Sequence, residues 1–389
     1  MRKLIILLLL LTTNHLPAQV KVDIEFTNLL NAPVKSARLS SLKGKLVILD
    51  FWATWCGSCI EAMPHLKALQ AKYRNSLQVI AVGNETVERT MQFLQSRPSN
   101  LWFAVDSGRS ISALFPHQMI PHDILIGKDG QPLAATSPEN ITDAVIDSLL
   151  AGAKVHLPEK KDNLLSYEDL IKQNFYAADT VMYRFKIQGE INGGPGLSHT
   201  WLDQPAFSGR RLTCINLPLT TLYMLAYGDF PFSRTIDQVK EGRNAPTYCV
   251  DLIVPRPDSL QTSLRRELAA RFDLQAKVEP MTKEVQVLRI VDSAKFKSIP
   301  RNISGKRTYM VMHGAIDQQS MTMSDLAKCL ESYGTGKLTV DKTGNREKLD
   351  IKISWQPENP QSLLNVLSSI GLGLTKEEQT VDMLIIYRR

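Results

Sequence analysis

At 389 residues, with 43% hydrophobic and 22% charged residues, the chain is too long for one ordinary domain and has a globular rather than a disordered composition. The formal charge of +7 is a weak imbalance over that length, and no run of Lys and Arg interleaved with aromatics marks a nucleic-acid surface, so no nucleic-acid partner is expected. Five cysteines are too few for a disulfide-stapled scaffold, and an odd number leaves at least one thiol unpaired internally.

Arg2 and Lys3, the apolar run Leu4 to Leu11 and a polar stretch to Pro17-Ala18 read as an export signal over residues 1–18, cleaved after Ala18 or kept as an anchor. The run has eight residues, whereas crossing a bilayer takes about 20. Residues 19–153 then alternate strands and helices. Leu46 to Ala53 is an almost continuous apolar run suited to a buried strand, and Ile60, Met63, Leu66, Leu69 and Tyr73 recur at helical spacing around Pro64, a kink site. Leu77 to Val82 reads as a strand, Val87 to Gln95 as an amphipathic helix and Leu101 to Val105 as a short strand. Asp123 to Ile126 and Pro132 to Ala135 flank a Gly-Lys-Asp-Gly turn, and Ile141 to Leu150 reads as a closing helix. This pattern is an α/β mixed sheet flanked by helices. The polar residues 154–170 read as a linker.

Residues 171–389 carry an internal repeat. Leu252 to Leu260, a helix to Phe272, Leu274 and Val285 to Val291 match Ile353 to Leu363, a helix, Leu372, Leu374 and Val381 to Tyr387, each reading as strand, helix, hairpin. Upstream, Asn216 to Leu225 parallels Ser320 to Cys329. Two copies are too few for a solenoid, so the expectation is one α+β domain of two pseudo-repeated halves.

Between the buried strand and the next helix lies Cys56-Gly57-Ser58-Cys59. A lone CxxC can ligate zinc, staple a loop or exchange disulfides. Zinc normally needs four ligands, and the first domain has no other cysteine and only scattered histidines, so no metal or cofactor is expected. At a helix N-terminus, free backbone N–H groups and the positive end of the dipole favour a thiolate at Cys56, the expected nucleophile. Cys59, one turn on, would attack the resulting mixed disulfide and release the partner.

Asp50-Phe-Trp-Ala-Thr-Trp-Cys56-Gly-Ser-Cys59, with Met63-Pro64, Ile120-Pro121, Gly127-Lys-Asp-Gly130 and the lead-in Leu39 to Lys45, resembles the exported thioredoxins of the TlpA/ResA type over about residues 22–153. The resemblance implies a thioredoxin fold with Trp55 beside the nucleophile and a cis Pro121 facing the cysteines, leaving the backbone at Ile120 to pair with a substrate segment. It matches Asp50 to a buried acid that relays the proton of the second thiol. Glu85 falls where this type has an acidic active-site residue, and reads equally as a surface residue before a helix. Ala62 replaces a common Glu, and His122 follows the cis proline where Thr is common; His122 reads as a substrate contact or as a structural residue. A peroxiredoxin reading fails, because Ala53 stands at the threonine of Pro-x-x-x-Thr-x-x-Cys. For a reductase in an oxidising compartment, the resemblance also implies a membrane electron donor.

Asn216-Leu-Pro-Leu-Thr-Thr-Leu222, Arg271-Phe-Asp-Leu274 and Val340-Asp-Lys-Thr-Gly344, with the hairpin strand Val285 to Val291, resemble a domain of unknown function from secreted bacterial proteins over most of residues 171–389, and no Ser/His/Asp set, metal cluster or phosphate loop is evident there. A binding or positioning module with an unassigned ligand is expected. Cys329 reads as a core residue, while Cys214 and Cys249, each on a strand, leave a disulfide between them open. The expected function is disulfide exchange with protein dithiols or disulfides in the periplasm or envelope of a Gram-negative bacterium, by a reductant. The alternative is an envelope binding module with the thioredoxin domain as scaffold.

Overall fold

The computed structural model describes residues 23–388 apart from Glu241, Arg243, Asn244 and His313, so the export signal read in residues 1–18 lies outside the described residues. No helix among the described residues is long and apolar enough to cross a membrane.

The first domain is built on six strands: β1 (Leu29–Leu30), β2 (Leu46–Phe51), β3 (Leu77–Gly83), β4 (Trp102–Val105), β5 (His122–Ile126) and β6 (Pro132–Thr136), in the order β1-β4-β3-β2-β5-β6. Parallel pairing joins β2, β3 and β4, whereas β1, β5 and β6 are antiparallel to their neighbours. Helices α1 (Gly57–Lys72), α2 (Val87–Ser96) and α3 (Asp143–Leu150) complete the thioredoxin fold. Every residue of β2 is buried because the strand is central and covered on both faces, which explains its apolar run, interrupted only by Asp50. Successive side chains alternate between those faces. Leu46, Ile48 and Trp52 join Leu125 and the inward row Cys59, Met63, Leu66 and Leu69 of α1. Val47, Leu49 and Phe51 pack with Ile124 and Ile126 in a separate core on the opposite face.

Residues 154–165 form no helix or strand, yet they are fastened along the edge of this sheet. Lys160 N–H donates to the Ala135 carbonyl (2.9 Å), and Thr136 Oγ1 donates to the Pro158 carbonyl (2.7 Å). Helix α4 (Tyr167–Phe175) starts inside the segment expected as linker, and its Leu170, Ile171 and Phe175 pack with Ile215 and Cys249 of the second domain.

That domain contains β7 (Arg184–Gly189), β8 (Leu197–Thr200), β9 (Arg211–Pro218), α5 (Leu219–Ala226), β10 (Thr235–Asp237), β11 (Thr247–Ile253), α6 (Leu260–Ala269) and β12 (Leu274–Ile290), followed by β13 (Val311–Met312), β14 (Ala315–Met321), α7 (Met323–Cys329), β15 (Thr339–Asp341), β16 (Leu349–Ser354), α8 (Pro360–Ser369) and β17 (Leu372–Arg388). From β9 onward the first series repeats as the second, starting with β14. Both copies carry a register shift, and Asn216 (φ 49°) and Ser320 (φ 60°) stand in the left-handed region at equivalent points of it.

One expectation is corrected. Leu274 to Val291 and Leu372 to Tyr387 are not two local hairpins but two single strands of 17 residues, antiparallel to one another from Leu274↔Arg388 to Ile290↔Leu372. The polar middle of each strand, Glu279 to Glu284 and Lys376 to Thr380, looked like a turn because it lies mostly towards solvent in the shared ribbon. The halves also exchange edges: β10 of the first pairs in parallel with β17 of the second, and β15 of the second with β12 of the first. Leu384 and Ile386 accordingly enter the core of the first half, and Leu288 that of the second.

Candidate functional site

The chain leaves β2 at Phe51, turns through Trp52 to Trp55 and enters α1 with Cys56 as the N-cap. Cys56 and Cys59 form a disulfide (S–S 2.07 Å, Cα–Cα 5.3 Å). The first-turn N–H of Cys59 donates to Cys56 Sγ at 3.2 Å, so the backbone group that usually seeks a capping oxygen is aimed at sulfur. Such a donor, with the helix dipole, stabilises a thiolate at Cys56 once the pair is reduced. The Ser58 hydroxyl lies 3.5 Å from the same sulfur. Cys59 is fully buried on the α1 side, while Trp55 is 56% exposed beside the pair.

The Ile120-Pro121 peptide is cis. The Ile120 carbonyl oxygen is 3.8 Å from Cys56 Sγ, so the structure brings Cys56, Cys59, Ile120 and Pro121 together. The turn before the cysteines is fixed by Glu85, whose carboxylate accepts from Thr54 N–H (2.6 Å) and Thr54 Oγ1 (2.7 Å). Thr54 Oγ1 also accepts from Arg89 Nε at 3.0 Å. Glu85 is thus placed next to the turn and engaged by Thr54.

Asp50 and Asp123 are directly opposite each other on β2 and β5, both buried, on the face that carries Ile48, Leu125 and Cys59. No group outside the pair hydrogen-bonds to any of their four carboxyl oxygens. Burial raises the Asp50 pKa to about 7, with Asp123 as a hydrogen-bonding neighbour pulling it back. Asp123 is raised well above the carboxylate range by burial and then by the Asp50 charge. Sequence reasoning singled out Asp50 and missed Asp123, which follows His122 at the start of β5 and gains its meaning only from its register opposite Asp50.

His122 lies on the other face of the sheet. As the first residue of β5 it alternates with Asp123 and points to the face away from the cysteines, stacked on His117 (4.9 Å between ring centroids) and close to Phe51. It is buried, and burial, the Lys160 ammonium and His117 lower its pKa to about 4. Lys160 Nζ donates to the Met119 carbonyl (2.8 Å) and to Asp162 (2.7 Å), and Asp162 accepts the N–H groups of Gln118 (2.8 Å) and Met119 (2.7 Å). The segment read as a linker therefore clamps the loop that carries the cis proline, an arrangement with no local sequence signal.

The C-terminal cysteines are buried and unbridged. Cys214 faces Leu222 and Val250, whereas Cys249 faces Leu170, Phe175 and Ile215 across the sheet, which settles the open pairing against a disulfide. Cys329 sits in the core of the second half.

Residues 20–131 match the model of the AhpC/TSA family, and residues 236–388 match that of a protein of unknown function, DUF3738. The thiol-disulfide oxidoreductase ResA of Bacillus cereus is 34% identical over 99 residues, covering 25% of this chain and 57% of the relative. The thioredoxin-like protein YneN of Bacillus subtilis is 41% identical over 56 residues, 14% of this chain and 33% of the relative. The chain thus spans a little over half the length of the first of these curated relatives. Among solved structures, a putative thiol:disulfide interchange protein DsbE from Chlorobium tepidum is similar at 29% identity, covering 34% of this chain and 93% of that one with a TM-score of 0.30. The chain is therefore similar to AhpC/TSA-type, thioredoxin-like proteins, ResA and YneN among them, in its N-terminal part and to DUF3738 in its C-terminal part.

Proposed function

We propose that the chain is an extracytoplasmic thiol-disulfide oxidoreductase that exchanges disulfides with protein partners through Cys56 and Cys59, working as a reductant. The observation that carries this reading is the Cys56–Cys59 pair at the N-terminus of α1, with the Cys59 N–H on Cys56 Sγ. In the reduced protein, the Cys56 thiolate attacks one sulfur of a partner disulfide and expels the other as a thiolate. Cys59 then loses its proton and attacks Cys56 Sγ. The bond to the partner breaks, the Cys56–Cys59 disulfide forms, and two electrons have passed to the partner. Trp55, the Ile120 backbone and Pro121 are the proposed contacts of the partner segment, and Asp50 is the proposed proton acceptor of Cys59. For Glu85, the proposed role is to position the turn through Thr54.

The export signal read in residues 1–18 supports a periplasmic or envelope location, where a reductant needs a membrane electron donor to restore the dithiol. The deciding experiment equilibrates purified protein in glutathione or dithiothreitol buffers and traps free thiols. A couple near about −270 mV marks a reductant and one near about −120 mV an oxidant. Absence of any reversible two-electron couple at this pair sinks the enzyme reading and leaves an envelope binding module with a thioredoxin-like scaffold. Cys59→Ser supplies a second check, because it should accumulate the partner as a mixed disulfide on Cys56.

A further inference from the structure

Beneath the disulfide, on the same face of the sheet as Cys59, two carboxyl groups are buried opposite each other with no basic partner in the pair. Asp50 and Asp123 are register partners, exposed by 1% and 0%, and no group outside the pair hydrogen-bonds to their four oxygens. Two carboxylates cannot both be charged in such a place, since the desolvation cost of each is compounded by repulsion from the other. One therefore keeps its proton. Desolvation and the Asp50 charge act most strongly on Asp123, with Glu139 adding to and Lys160 opposing the effect. Cys56 and Cys59 belong to the buried cluster on this same face of the sheet, with Ile48 of β2 and Leu125 of β5.

We propose that Asp123 is a positioning residue that stays protonated and offers its O–H to Asp50, holding Asp50 as the single group that exchanges a proton with Cys59. This rests on the oxidoreductase reading above. In the release step the Asp50 carboxylate takes the Cys59 proton. The Cys59 thiolate attacks Cys56 Sγ, the Cys56–partner bond breaks, and the partner leaves as a thiolate. Asp50 later returns the proton to solvent, and Asp123 keeps its own throughout. Without its donor, Asp50 would be a lone carboxyl in an apolar site and would bind its proton more tightly. An amide at position 123 still offers an N–H and restores the arrangement.

The test mixes reduced protein with oxidised glutathione and follows the Cys56–glutathione adduct by acid quench and mass spectrometry from pH 5 to pH 9. Release should rise with pH as Asp50 deprotonates. Asp123→Asn should superpose on the unmodified protein, whereas Asp123→Val should move the rise about one pH unit or more higher, a slowing of about tenfold on the rising limb. Equal profiles for Asp123→Val and the unmodified protein would overturn the proposal, as would a shift of Asp123→Asn to lower pH, since that shift would mean that Asp123 carries charge. Carboxyl carbon NMR of the unmodified protein decides the matter even where a variant fails to fold. One buried Asp should titrate near neutrality and the other should keep its proton to higher pH, and two titrations near pH 4 would refute the shared arrangement. If no adduct forms at any pH, the oxidoreductase reading fails, while the NMR titration still decides whether Asp123 holds its proton.

Discussion

Arg89 in α2 and Glu358 in the β16–α8 loop, 269 positions apart, form a two-armed ion pair across the domain boundary, one arm measuring 2.9 Å. The same guanidinium reaches Thr54 in the turn before Cys56, and beside it Gln356 donates to the Gln92 carbonyl (3.1 Å) and to Ser96 Oγ (2.9 Å). The C-terminal domain is thus docked next to the turn before Cys56. Side-chain exposures of 20% for Arg89 and 5% for Glu358 place the pair among those that are costly to break from one side. Arg89→Ala or Glu358→Ala should weaken the docking by about 3–5 kcal/mol, seen as separate unfolding of the two domains and faster proteolysis between them.

The same pair gives that docking a pH dependence. Burial pushes the Glu358 carboxyl up, but the Arg89 hydrogen bonds outweigh it, and the net pKa is lowered. A depressed pKa contributes stability that is full above the unfolded value of about 4.3 and is lost as pH falls through the folded value. Docking should therefore hold at neutral pH and loosen in acid, and Glu358→Gln should abolish the acid-dependent part. Proteolysis between the domains across pH 3 to pH 7 checks this. A variant with the unaltered acid profile would assign the effect elsewhere.

Much of the first domain was legible because its signals are local. Val87 to Gln95 became α2 (Val87–Ser96), and the apolar run Leu46 to Ala53 became β2 (Leu46–Phe51). The cysteine motif lies where strand meets helix, and Pro64 sits inside α1. Hidden were relationships fixed by pairing across the fold: Asp123 became meaningful only once register set it opposite Asp50, and Glu358 only once the C-terminal domain reached α2. The two long strands were misread for a related reason. Their polar centres resemble turns unless the partner strand, nearly 100 residues away, is known.

Asp162 should prove structural for the loop that carries the cis proline. Burial raises its pKa, but Lys160 and the N–H groups of Met119 and Gln118 more than compensate, so its net pKa is lowered. Asp162→Ala removes the acceptor of two backbone N–H groups and the partner of Lys160, at a cost of about 1–3 kcal/mol concentrated on the part-buried Met119 N–H, since the exposed Gln118 N–H can turn to water. Faster amide exchange at Gln118 and Met119, with α6 and α8 unaffected, is the expected signature. Uniform exchange across the chain would instead indicate global destabilisation.

Cys214, Cys249 and Cys329 should behave as inert core thiols. Burial raises all three pKa values, that of Cys329 to about 11, so little thiolate is available at neutral pH. An alkylating reagent should leave them unmodified in the native protein and modify all three in denaturant, whereas Cys56 and Cys59 require prior reduction. Mass spectrometry gives the count directly. Rapid native modification of Cys214 or Cys249 would contradict their placement on opposite buried faces.

Asn216 and Ser320 occupy equivalent left-handed positions in the two halves, but their side chains are used differently. The Asn216 amide accepts from Ile191 N–H (2.8 Å) and Cys249 Sγ (3.1 Å) and donates to the Ile191 and Gly194 carbonyls (both 2.8 Å). Ser320 contributes its backbone N–H to Asp350 (3.0 Å), a bond that glycine would keep. Glycine relieves the left-handed backbone at either site, an effect of about 1 kcal/mol, but at position 216 it also deletes a buried hydrogen-bonding side chain at about 1–3 kcal/mol. Ser320→Gly should therefore be neutral or stabilising and Asn216→Gly destabilising, as read by urea unfolding. Equal effects at both positions would mean that backbone strain, rather than the side-chain network, dominates these bulges.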